Sequence, residues 1–141
     1  MARFTFSWEE QGCGKCDQPL QVRLTRRRTV RSVAYGKFVA IERQGYCPMH
    51  PDLPPARSRK LTRIVAPGCK ISYDVIARIG LARFLECRQS EEIQIELSRQ
   101  YGVEMPVRTI SELSHKFVAY VQVVHQESIK LLRRAMQQRG G

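Results

Sequence analysis

Two short turns, CGKC at residues 13–16 and CPMH at residues 47–50, each set two metal-ligating side chains three positions apart. Side chains at that spacing in a tight turn can face one ion, and the glycine at the second position of the first turn eases the backbone through it. Cys13, Cys16, Cys47 and His50 therefore make up the nitrogen and sulphur ligand set of a tetrahedral, structural Zn²⁺ site. Two other readings stay open at this point. CxxC alone can be a redox pair, although no strand–helix–strand pattern of the thioredoxin type surrounds it. His50 can be a loop histidine beside Pro51, which would leave three ligands and an open catalytic position, yet no glutamate adjoins a ligand to work on a bound water. The other cysteines, Cys69 and Cys87, stand apart and read as packed thiols. An odd total of five in a chain with no export signal argues against a disulfide framework.

The turns need elements to bring them together. Residues 20–31, LQVRLTRRRTVR, and 33–42, VAYGKFVAIE, alternate in part as strands do, so the spacer reads as a hairpin and residues 1–56 as a zinc-ribbon module. Residues 51–60, PDLPPARSRK, hold three prolines and three basic groups, which suits an extended chain, and residues 57–71 read as a basic linker.

From Ser72 the apolar period becomes helical. Ser72 is a cap for a helix to about Cys87, with Val75, Ile76, Ile79, Leu81, Phe84 and Leu85 apolar around much of its girth, which predicts burial. Ser90, followed by Glu91 and Glu92, opens a second helix along Ile93, Leu97 and Tyr101, and Gly102 is its stop. Pro106 suits the first position of a third, striped by Val107, Ile110, Leu113 and Phe117. The fold class expected is α+β: a small β-hairpin module, a helix-turn-helix bundle over 72–118, and a long extension of the third helix over 119–141 that serves as connector, coiled-coil arm or packing arm.

Charge points to the partner. The 141 residues carry 24 Lys and Arg against 13 Asp and Glu, a net +11, and residues 1–70 alone hold 14 basic against 5 acidic groups. Such a balance favours a polyanion, most often nucleic acid. The mean hydropathy is −0.37 and no apolar run approaches the length of a membrane span, so no membrane partner is expected and a cytoplasmic, nucleoid-associated location is the default. Arg23, Arg26, Arg27, Arg28 and Arg31 in the hairpin and Arg57, Arg59, Lys60 and Arg63 in the linker are expected on phosphates of double-stranded DNA. Arg108, Thr109, Ser111, Glu112, His115 and Lys116 form the outer face of the third helix, where a helix-turn-helix reader meets base edges. The turn before this helix runs about two residues longer than in common repressors. A three-helix bundle with a solvated face would use the same residues.

Taken together, CGKC, YCPMHPD, the run VAPGCKISYDVIARIGLARFLECRQSEEIQIELSRQYGVEMPVRTISELSHKFVAYVQVVHQ and the closing RRAMQQRGG resemble the N-terminal region of a bacterial insertion-sequence transposase. That resemblance implies zinc on Cys13, Cys16, Cys47 and His50, a reading helix from Pro106, and recognition of the terminal inverted repeats of the element during transposition, a DNA recombination. It also implies a ribonuclease-H-like domain with three metal-binding carboxylates, for which this chain has no matching positions. The chain is thus expected not to be an enzyme itself, and to work with a catalytic transposase domain in trans or as a homodimer. The rival expectation is a zinc-ribbon protein-interaction module or small transcriptional regulator.

Overall fold

In a computed structural model that describes residues 1–140, the chain orders as β1 (Ala2–Phe6), β2 (Gln21–Ser32), β3 (Gly36–Tyr46), α1 (Arg59–Ile64), α2 (Tyr73–Phe84), α3 (Ser90–Tyr101) and α4 (Val107–Gly140). Gly141, the last residue of the expected 119–141 extension, lies outside the described residues. The class is α+β, as expected: a small sheet followed by helices, the last of them long. No helix among the described residues is long and apolar enough to cross a membrane.

The chain divides into two compact units. The first comprises residues 1–75 and 99–103, the second residues 76–98 and 104–141.

In the first unit the hairpin is the centre. β2 and β3 pair antiparallel from Ser32 opposite Gly36 to Gln21 opposite Tyr46, with an irregularity between Val22 and Leu24. β1 adds in parallel to the other edge of β3, an element absent from the sequence reading. Its signal is short: Phe4 and Phe6 alternate with Arg3 and Thr5, the period of a strand with one apolar face. That face joins Val30, Phe38 and Ala40 under Leu61 and Val65.

Part of the expected basic linker, residues 57–71, is folded. Residues 59–64 are a helix, and its Leu61 is fully buried. The cause is local and legible in retrospect. Ser58 accepts from the Leu61 N–H at 3.3 Å as an N-cap, and Leu61, Ile64 and Val65 recur at one helical face. Glu9 completes the cap from a distance, accepting from the backbone N–H of Arg59 at 2.8 Å and Lys60 at 3.3 Å and from the Ser58 hydroxyl at 3.1 Å.

Those bonds, led by the Arg59 N–H, hold the Glu9 carboxyl below its ordinary 4.5. A carboxyl depressed in the folded state contributes stability that is full above its unfolded value and lost as pH falls through the folded one. Glu9→Gln is therefore expected to be less stable than the parent at pH 6, with the difference closing in urea titrations as the pH falls below the ordinary carboxyl value. A difference that stays constant down to pH 3 would show that the carboxylate charge is not what matters.

In the second unit, Ile76, Ile79, Ala82, Ile93, Leu97, Met105, Ile110 and Leu113 are buried. Gly80 is required by its neighbour: a Cβ there would lie 2.1 Å from the Phe117 ring, which instead stacks with Phe84 at 6.3 Å. The first bundle helix ends three residues short of the expected Cys87, and Leu81, Phe84, Leu85 and Cys87 are exposed instead of packed. Arg88 beyond it turns into an ion cluster: Arg78 and Arg88 both reach the buried Glu96, and Arg78 also pairs with Glu86 at 2.9 Å. These contacts hold the chain in a turn where a longer helix would have continued. α3 runs from Ser90 to Tyr101, and Gly102, at φ +64°, supplies the left-handed residue that stops it.

Candidate metal centre and nucleic-acid interface

The two cysteine turns meet at the far end of the hairpin from Gly36. Cys13 lies in a loop closed by its own N–H to the Gln18 carbonyl at 2.8 Å and by the Asp17 N–H to its carbonyl at 2.9 Å. Cys47 follows β3 directly, and the His50 N–H donates to its carbonyl at 3.1 Å, which closes the second turn. The backbone thus builds each turn independently, and the hairpin register joins them.

The four ligand atoms lie within 4.8 Å of one another. Cys16 Sγ is 3.5 Å from Cys47 Sγ, and His50 Nδ1 is 3.7 Å from both Cys13 Sγ and Cys47 Sγ. A tetrahedron whose metal–sulphur arms are about 2.3 Å long has edges of about 3.8 Å, so these separations match a common central ion. Cys13 and Cys47 are buried, while Cys16 and His50 are half-buried.

The electrostatics fit the same ion. The Lys15 backbone N–H, and then that of Cys16, aim at the Cys13 sulphur and bring its thiol down to about 6. Cys16 is pushed up: the Gln18 N–H favours its thiolate, but burial and the neighbouring Cys47 and Cys13 sulphurs outweigh it. One sulphur thus carries charge readily and its neighbour resists a second charge beside it. A divalent cation removes that conflict by accepting both thiolates. The four positions singled out by spacing form one constellation, a candidate Cys₃His metal site.

The expected phosphate contacts divide. Arg23, Arg26 and Arg27 are exposed along β2. Arg28, on the opposite face of β2 from Arg27, donates to the carbonyls of Ala66 at 3.1 Å and Cys69 at 3.0 Å, so it ties the segment after α1 to the hairpin. Arg57 pairs with the buried Glu42 at 3.6 Å, and Arg59 with Glu10 at 3.5 Å. Lys60 and Arg63 are exposed on α1. On α4, Arg108, Ser111, Glu112, His115 and Lys116 are exposed and Thr109 is half-buried, opposite buried Ile110, Leu113 and Ser114. Arg108 and Glu112 form an i,i+4 ion pair at 3.3 Å. Five residues, 102–106, separate α3 from α4.

Compared with protein-family models and with curated proteins, the chain finds no match in either.

Proposed function

We propose that this protein is a zinc-stapled DNA-binding module that recognises the terminal repeats of an insertion element, as the N-terminal part or remnant of a transposase. Three thiolates with one imidazole form a soft, closed donor set that suits Zn²⁺ in a structural role. The observation that carries the reading is the cation excess of the half of the chain that holds the staple: 14 basic against 5 acidic groups in residues 1–70. α3, the Gly102 turn and the exposed start of α4 add a reading helix, with Arg108, Thr109, Ser111, Glu112, His115 and Lys116 on its outward side.

The test is a salt titration with a duplex that carries the element's terminal repeat and a random duplex of equal length. The affinity for both is expected to fall with salt at a slope near −0.9 per phosphate contacted. Arg108→Ala is expected to cost about 1–3 kcal/mol on the repeat and nearly nothing on random DNA. A flat salt response would remove the DNA-binding reading, and an equal loss on both duplexes would remove α4 as the reader.

A second reading has its own support. Tyr120, Val121, Val124, Leu131, Leu132 and Met136 lie along one side of α4 and are exposed. They suit a protein partner, either the catalytic part in trans or a second copy of the chain.

A further inference from the structure

The alternation of a strand sends its side chains to opposite faces, and the register of this sheet sorts the cations accordingly. Phe4, Phe6, Val30, Phe38 and Ala40 take the face covered by α1. Arg3, Arg27, Arg31, Lys37 and Arg43 take the other.

The pairing sets their layout. Arg31 lies opposite Lys37, Arg3 opposite Val39, Arg27 opposite Ile41 and Arg43 opposite Thr25. Cations therefore frame a centre of Thr29, Val39 and Ile41. Arg3, Arg27, Lys37 and Arg43 are exposed, and Arg31 lines a cleft of about 410 Å³ with Thr29, Lys37, Lys70 and Ile71. No acidic residue occupies a strand position on this face, because Glu42 belongs to the opposite one, beside buried Gln44.

We infer that the outer face of the β1–β3–β2 sheet is the surface that docks on the phosphate backbone of duplex DNA, with Arg3, Lys37 and Arg43 as contacts beside Arg27 and Arg31. The inference rests on the DNA-binding reading and locates its phosphate contacts. From Lys37 to Arg43 along β3 is six residues, about 20 Å, and from β1 to β2 about 10 Å. A 20 Å length of duplex shows about six phosphates on one strand, enough to engage every cation in the frame.

The chemistry of the face also selects duplex over other partners. Among the strand aromatics, Phe4, Phe6, Phe38 and Tyr46 take the core-side register, and Trp8, beyond β1, covers Gly45, which follows Arg43 on the outer face beyond the frame of cations. Unstacked bases need aromatic platforms, and protein interfaces need large buried anchors. Threonines, one valine and one isoleucine among cations provide neither.

The decisive variant is Arg3→Gln/Lys37→Gln/Arg43→Gln in the full, metal-loaded chain, against Lys130→Gln/Arg133→Gln/Arg134→Gln on α4 as a control of equal charge. The probe is a fluorescent random-sequence duplex of 20 base pairs, with a single strand of the same length beside it. The sheet variant is expected to lower duplex affinity and to flatten the slope of log affinity against log salt by about 2.7, while the α4 control keeps the parental slope. Arg3→Lys/Arg43→Lys is expected to keep the parental slope, which separates charge from folding. Equal flattening by the sheet and α4 variants, no flattening by the sheet variant, or a larger effect on single strands would each overturn the assignment while the parent still binds duplex. A parent that does not bind duplex would instead refute the underlying DNA-binding reading.

Discussion

Treatment with a strong chelator is expected to release about one zinc ion per chain and to loosen both cysteine turns together. The physical basis is the size of the metal contribution. Zinc binding in small Cys and His modules is worth about 10–16 kcal/mol at neutral pH, as much as the whole stability of an ordinary domain. Among the described residues no disulfide ties Cys13 to Cys47 across the 33 intervening residues. Cys47→Ser is the sharper form of the experiment, because it removes a buried ligand at the junction of β3 and the second turn. It is expected to reduce zinc affinity by orders of magnitude and to expose the amides of residues 12–20 and 45–56 to hydrogen exchange. Cobalt substitution gives an independent readout: three thiolates and one imidazole predict strong sulphur charge transfer and a tetrahedral visible spectrum. An apo protein that melts at the same temperature, or a metal content near zero after purification with zinc, would sink the staple.

The second large effect lies at the opposite end of the same hairpin. Phe38→Ala is expected to destabilise the first unit by about 3–5 kcal/mol. Phe38 is 1% exposed and meets Phe4 edge-on at 5.5 Å and Tyr35 edge-on at 6.3 Å, within a cluster closed by Leu61 and Val65 from α1. Val39→Ala, one residue away on the half-buried outer face, is expected to cost about 1 kcal/mol or less. Urea midpoints with zinc held in excess measure both, and metal stoichiometry should be unchanged in each. If Phe38→Ala costs no more than Val39→Ala, then the metal alone holds the unit and the small core is incidental. If the expected difference appears, the hairpin is held at both ends, by ligation at one and by packing at the other.

That result would revise the picture available from spacing alone, in which a structural zinc site is what joins the two turns. The revision comes from two elements that the sequence reading passed over. β1 is five residues long and α1 six, and neither is long enough for its periodicity to stand out from the chain around it. α1 was further hidden by Pro51, Pro54 and Pro55, which break helices but end before Ser58 begins one. The longer helices were legible because their apolar stripes recur over three or more turns, and Gly102 marked a boundary that its left-handed backbone bears out. The end of α2 was not legible: apolar Leu81, Phe84 and Leu85 extend the pattern, and the stop depends on Arg78, Arg88 and Glu96 meeting from different segments.

Local features are written in the chain: a ligand set of two three-residue spacings, an α+β order, helices with readable starts, and a cation excess in the first half. Tertiary structure decided which of those cations look outward. Arg27 and Arg28 are neighbours with the same side chain, yet Arg27 is exposed and Arg28 is committed to the carbonyls of Ala66 and Cys69. A strand's faces are assigned by its register with partners far along the chain, so no local property of the run RRR could distinguish them.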